Sequence, residues 1–138
     1  MRRVLVDTGP LVAILSDADE HHEACVEMLH SLPGPLFSCW PVITEAVWLL
    51  RRFPTAVDKL LRSLHSGFLE ILPLTSLEAE GIAKIINRYA NLRPQLADAA
   101  LVYLAIRDNI DTVFTRDRRG FSIYRGARNR PFKLLPEL

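Results

Sequence analysis

With 138 residues the chain has the length of one domain (1–138) and can bury a core without disulfide or metal staples. Hydrophobic residues at 49% and charged residues at 24% exclude a disordered or fibrous chain, and no run is apolar enough to span a bilayer. Net charge is only +1 but unevenly spread: residues 116–133 hold seven Arg or Lys against one acid, net +6, and residues 1–115 sum to −4. Such a bias fits a basic face beside an acidic site, or simply a solvated charge run. Cys25 and Cys39 are far apart and in no CxxC pair, the pattern of reduced core thiols in a cytoplasmic protein. Arg2 and Arg3 before Val-Leu-Val imitate the start of a signal peptide, but Asp7 interrupts the apolar stretch at once.

Val4-Leu5-Val6 ends in Asp7 and a Thr-Gly-Pro breaker, which predicts a buried strand delivering one carboxylate to a helix N-terminus. Residues 10–15 read as a short helix, 17–20 as a turn, and a second helix runs to about residue 32, stopped by Pro33-Gly34-Pro35. Residues 36–39 form a second strand. Pro41 starts a helix apolar almost all round, which predicts extensive burial, and Pro54 separates it from an amphipathic helix through Val57, Leu60, Leu61 and Leu64. Residues 68–72 are a third strand. Thr75 and Glu78 make a capping box for a helix through Ile82, Ile85, Ile86 and Tyr89, and residues 96–108 form another helix with Asn109 as its C-cap. Residues 112–115 are a fourth strand and 133–135 a fifth, at an edge. Strands alternating with helices imply an α/β fold with a mainly parallel sheet of four to five strands, flanked by helices on both faces.

Four acids occupy unusual places. Asp7 follows the first strand, where it serves equally well as a helix cap or as a reactive group at the carboxyl edge of the sheet. Glu45 lies within the apolar helix, its neighbours one turn away being Pro41, Val42, Trp48 and Leu49. Asp98 is surrounded by Ala97, Ala99 and Ala100, with Pro94, Gln95, Leu101 and Val102 one turn away. Either needs a distant arginine, a capping role or a ligand, because desolvating a lone carboxylate costs roughly several kcal/mol. Asp117 follows the fourth strand and alone would pass for a turn residue. All four are explained together as one cluster neutralised by a hard cation, Mg²⁺ or Mn²⁺. With arginines nearby, that arrangement cleaves phosphodiesters.

Val-Leu-Val-Asp-Thr at the start, Thr-Glu-Ala-Val-Trp-Leu-Leu in the apolar helix, Leu-Ala-Asp-Ala-Ala-Leu-Val and Thr-Arg-Asp-Arg-Arg-Gly-Phe-Ser-Ile-Tyr-Arg span Val4 to Arg125. In that order they resemble the PIN-domain nucleases, and within them the VapC-type toxins of toxin–antitoxin pairs. The resemblance implies a Rossmann-like PIN fold and a Mg²⁺- or Mn²⁺-dependent endoribonuclease leaving 5′-phosphate and 3′-hydroxyl ends. It puts the metal-binding carboxylates on Asp7, Glu45, Asp98 and Asp117, and a hydroxyl able to orient water on Thr115. Some members carry a further acid two residues after the last one. Here position 119 is arginine, which implies weaker binding of a second metal, or binding only with RNA. Arg116, Arg118, Arg119, Arg125, Arg128 and Arg130 are candidates to hold the RNA backbone. The implied partners are an RNA substrate, an antitoxin and a second copy of the chain, with residues 42–52 and 55–66 as the grip for an antitoxin helix.

Other features have simpler readings. His21, His22, His30 and His65 do not complete a zinc set even though His21 and Cys25 are one helical turn apart. Trp40, Trp48 and Phe53 read as core or interface rather than as platforms for bases. A receiver-type or haloacid-type phosphoryl-transfer fold would need a lysine near the phosphate, or an acid at position 9, which is Gly. The competing reading is a non-catalytic PIN-like module that binds RNA or protein without cutting.

Overall fold

The computed structural model describes residues 2–137. Five short strands, β1 (Val4–Val6), β2 (Leu36–Ser38), β3 (Leu69–Ile71), β4 (Thr112–Phe114) and β5 (Lys133–Leu135), form one sheet in the order β3-β2-β1-β4-β5. Every neighbouring pair is parallel, so the sheet is wholly parallel. β1 and β4 lie side by side in its middle and are buried throughout, as a strand covered on both faces requires. Leu5, Val6, Val113 and Phe114 are fully inaccessible.

Chain order in this sheet reverses once. From β1 the chain moves outward through β2 to β3, then returns to the other side of β1 as β4 and continues to β5. The carboxyl ends of β1 and β4 therefore flank the switch point, where open parallel sheets leave a crevice. Asp7 leaves β1 at that crevice and Thr115 to Asp117 leave β4 beside it.

Seven α-helices flank the sheet: α1 (Thr8–Leu15), α2 (His22–Ser31), α3 (Trp40–Leu49), α4 (Pro54–His65), α5 (Ala79–Arg88), α6 (Leu96–Asp108) and α7 (Arg118–Phe121). Helix α1 begins two residues before Pro10 because Asp7 is itself the cap, its Oδ1 accepting from the Thr8 N–H at 2.8 Å. Pro10 is tolerated because the first turn of a helix has no N–H to lose. The Thr75–Glu78 capping box forms as expected, although its first turn is a 3₁₀ turn leading into α5. Asn109 closes α6 in the left-handed conformation, φ 54°.

Two expectations need correction. Helix α3 is apolar all round yet buries only one face, through Val42, Ile43 and Ala46; Trp40, Trp48 and Leu49 are exposed, as is Phe53 just after it. Hydrophobicity without a period does not say which face meets the core, and these aromatics are not core residues. Asp117, which alone passes for a turn residue, instead caps a short helix, α7, its Oδ1 accepting the Gly120 N–H at 3.0 Å.

Helices α5 and α6 pack closely at Gly81, where an added Cβ would stand 2.4 Å from Tyr103 Cε1. Gly81→Ala is therefore expected to destabilise the fold by about 1–3 kcal/mol through overpacking. By chemical denaturation, the same substitution made in a Tyr103→Ala background should cost little further stability. A Gly81→Ala variant as stable as wild type would refute the close approach.

Candidate active site

Asp7 occupies the centre of the crevice with little access to solvent. Its second oxygen, Oδ2, accepts from the Thr115 hydroxyl at 2.8 Å, and Thr115 Oγ1 in turn accepts from the Asp117 N–H at 2.9 Å. Thr115 is fully buried and its proton is committed to Asp7. It thus ties the end of β4 to the end of β1 and orients one carboxylate, where the family resemblance assigns its hydroxyl to a water.

The other three acids reach the same cavity from different elements. Glu45 projects from α3, Asp98 from the first turn of α6, and Asp117 from the cap of α7. Asp98 Oδ2 accepts from the Gln95 N–H at 2.9 Å. With the Gln95 amide nitrogen turned inward, it donates to both oxygens of Glu45, at 2.9 and 3.1 Å. Gln95 therefore holds two acids, one through its backbone and one through its side chain. Sequence reasoning treated it only as a neighbour of Asp98. Its place just before an acid-bearing helix start was the available signal.

All four carboxylates line one cavity of about 800 Å³, together with Thr8, Arg93, Arg116, Arg119 and Tyr124. Among the described residues no three acids close into a preformed metal cage; they border an open mouth instead. Burial pushes the Asp7 carboxyl up to about 6, against the Thr115 and Thr8 hydrogen bonds, and the charges of Asp98 and Glu45 push it the same way. Burial, then the charge of Asp98, raises Glu45. Burial raises Asp98 too, opposed by the Gln95 N–H and reinforced by Asp117. Tyr124 is driven to about 12, first by burial and then by Asp98, Asp117 and Asp7, so its hydroxyl stays protonated.

The chemistry of this set fits a hard divalent cation. Every acidic donor is oxygen, and a like-charged group of this kind is relieved by Mg²⁺ or Mn²⁺ rather than by a soft metal. Thr8 Oγ1 is near enough to Glu45 to temper its rise, yet it is buried and makes no hydrogen bond of good geometry. It is an orphaned oxygen in the wall of the site.

The arginines divide. Arg116 and Arg119 line the cavity, and so does Arg93, which sequence reasoning passed over; it occupies the left-handed region, φ 51°. Arg116 lies across Gly9, where an added Cβ would meet its Cβ and Cδ at 3.3 Å, and pairs with Asp19 at 3.4 Å. Arg118 and Arg125 do not line the cavity. The Arg125 guanidinium instead donates to the carbonyls of Ser122, Ile123 and Tyr124 at 2.9–3.1 Å. Arg128 and Arg130 line a different cavity.

The PIN-domain family model matches residues 4–127. The chain belongs to the PIN-domain family. Ribonuclease VapC26 of Mycobacterium tuberculosis is 33% identical over 135 residues, spanning 96% of this chain and 100% of that protein, which makes this a VapC-type PIN domain. Among solved structures, VapC20 of M. tuberculosis, described as a sarcin–ricin loop cleaving toxin, superposes with a TM-score of 0.73 at 18% identity, over 80% of this chain and 86% of that one. VapBC2 of Rickettsia felis, solved bound to a promoter DNA fragment, gives 0.66 at 14% identity, over 96% and 98%. These two structures share the fold of this PIN domain. Among its described residues no helix is long and apolar enough to cross a membrane.

The folded protein holds the Asp7 proton more tightly than the unfolded chain does, so stability falls as pH rises from about 4 through about 6. The loss is complete above that window, at roughly 2–3 kcal/mol. Asp7→Asn should then melt at a higher temperature than wild type near pH 7.5 in EDTA, with the gap closing toward pH 4; an equal or lower melting point at pH 7.5 would contradict the burial argument. Gly120→Ala would bring a Cβ to 2.5 Å from Asp117 Oδ2. Calorimetry should show its Mn²⁺ affinity reduced by about tenfold, on the order of 1.4 kcal/mol, and an unchanged affinity would show that Asp117 has room to yield.

Proposed function

We propose that the protein is a divalent-metal-dependent endoribonuclease and the toxin of a toxin–antitoxin pair. The observation that carries this reading is the convergence of Asp7, Glu45, Asp98 and Asp117 on one open cavity at the switch point of a PIN-domain sheet. The VapC relative, a named ribonuclease that matches nearly the whole chain, supports the substrate class. Asp7, Glu45, Asp98 and Asp117 would hold Mg²⁺, or Mn²⁺ in its place. A divalent cation bound there supplies Lewis acidity, which promotes attack of water on phosphorus and offsets the charge developing on the 3′ oxygen.

The chain's own residues do the rest. Thr115 and the Thr8 N–H fix both oxygens of Asp7, so this acid cannot rotate away from the cavity. Gln95 holds both oxygens of Glu45 through its side-chain amide and one oxygen of Asp98 through its backbone N–H. Arg93, Arg116 and Arg119 stand at the mouth, where guanidinium groups suit the phosphates on either side of the scissile bond. None of these contacts requires a particular base. Tyr124, kept protonated, is a donor for a phosphate oxygen. The products would carry 5′-phosphate and 3′-hydroxyl ends.

A partner protein is part of this reading. The resemblance to VapC-type toxins implies an antitoxin, and here the exposed Trp40, Trp48, Leu49 and Phe53 lie along α3 and the start of α4. Solvent exposure of so many large apolar groups along one helix and the start of the next favours a covered surface. An antitoxin helix and a second copy of the chain are the proposed occupants, in a cytoplasmic protein.

Titrating Mn²⁺ into the wild type and into Asp98→Asn tests the metal site without knowledge of the substrate. The wild type is expected to bind and the variant to lose at least about tenfold in affinity. Cleavage of single-stranded RNA in Mg²⁺ should disappear in Asp98→Asn and fall steeply with added salt. RNA binding with no cleavage and no metal binding, in wild type and variant alike, would move the protein to the non-catalytic reading.

A further inference from the structure

A second basic cavity lies at the other end of the sheet. It is lined by Arg2 and Arg3 just before β1, Asp111 just before β4, and Arg128, Arg130 and Phe132 just before β5. Each of these segments precedes a strand, so the cavity opens at the amino edge, opposite the acids. Its volume is about 360 Å³. Four arginines face one aspartate, and Asp111 Oδ1 already accepts from the Thr112 hydroxyl at 2.8 Å. Arg3 is engaged too, donating to the carbonyls of Asp108 and Asn109 at the end of α6. Arg2, Arg128 and Arg130 have no carboxylate partner among the described residues.

The loop carrying two of these arginines is built rather than loose. The Gly126 N–H donates to the Arg130 carbonyl at 2.8 Å, Arg125 and Pro131 form a bridge, and Asn129 Oδ1 accepts from Arg88 at 3.2 Å. Arg128 is held at φ 58°, a conformation that an arginine rarely adopts without surrounding structure to impose it. The fold thus fixes Arg128 and Arg130 over a cavity whose one carboxylate, Asp111, pairs with neither of them.

We propose that this amino-edge cavity is a second phosphate-binding site for the RNA backbone, engaged by a strand that also reaches the acidic cavity. The connection is the β4–β5 crossover, residues 116–132, which must travel from the carboxyl edge to the amino edge because the two strands are parallel. It carries Arg116 and Arg119 at its first end, Arg125 midway and Arg128 and Arg130 at its last. A polyanion with evenly spaced charge can follow that path, whereas an acidic side-chain cluster would satisfy one end only. The strands it passes are roughly 10 Å long, so a single-stranded RNA of several nucleotides bridges the two sites. The inference depends on the ribonuclease reading only for the choice of RNA as the polyanion.

The test compares oligouridylates of about 2 nucleotides, too short to bridge, and about 25 nucleotides by fluorescence anisotropy in EDTA, where binding is read without cutting. Wild type is expected to bind the long strand about tenfold tighter than the short one. Arg128→Ala/Arg130→Ala should lose that advantage, keep its affinity for the short strand, and reduce the salt slope for the long strand by about 1.4, the value for two lost phosphate contacts on single strands. Arg51→Ala/Arg52→Ala, which removes the same charge elsewhere, should keep the advantage. A long-strand advantage that survives in Arg128→Ala/Arg130→Ala, or that falls equally in Arg51→Ala/Arg52→Ala, overturns the proposal. Equal weakening on both strand lengths does so as well. Cleavage of the long strand by wild type but not by Asp98→Asn in Mg²⁺ tests the nuclease reading separately, so either can fail while the other stands.

Discussion

The hydrogen bond from the buried Thr115 hydroxyl to Asp7 Oδ2 is the constraint on which the site depends. A carboxylate buried in the crevice at the carboxyl edge of a parallel sheet loses its hydration and is surrounded by other acids, a costly position unless its oxygens are held. Thr115 and the Thr8 N–H hold both. Because Thr115 also accepts from the Asp117 N–H, the same hydroxyl positions the last acid as well as the first. The ends of β1 and β4 are thereby fixed relative to each other by side chains as well as by the backbone ladder.

Around this link the remaining acids are each steadied by a backbone amide or a neighbouring side chain. Gln95 serves Asp98 and Glu45, and Gly120 serves Asp117. None of the four depends on an arginine for its orientation. The cations at the mouth, Arg93, Arg116 and Arg119, are thus left to deal with a ligand, and Arg116 is braced by Asp19 from the α1–α2 connection. Acids line the interior and exposed arginines the rim, the polarity that the proposed phosphodiester substrate needs.

Much of this was legible in the sequence because it follows from pattern. Alternating strands and helices predict a parallel sheet, and an acid after each of two strands predicts their meeting at its carboxyl edge. Glu45 and Asp98 stand out because neither has a cation nearby on its helix, Asp7 and Asp117 because each follows a strand, and the four do share one cavity. What the pattern could not supply was direction. Arg119 and Arg128 belong to the same charge run, but the crossover between parallel strands carries them to opposite edges of the sheet. Arg93 was passed over because its role comes from a left-handed backbone at the end of a 3₁₀ turn. Helix α3 was expected to be buried because an all-apolar helix has no period to show which side stays outside.

That helix has one further consequence. Glu45 and Leu49 stand one turn apart on α3 and line the same cavity, while Trp48 beside Leu49 is exposed to solvent with Arg51 stacked on its ring at 3.8 Å. A ligand seated on Leu49 lies within about 6 Å of the Glu45 backbone, the rise of one helical turn. Shielding of this apolar face and blockage of the acidic mouth are therefore one steric event. A partner seated there, as proposed, would compete with the ligand directly, with no signal to relay through the core.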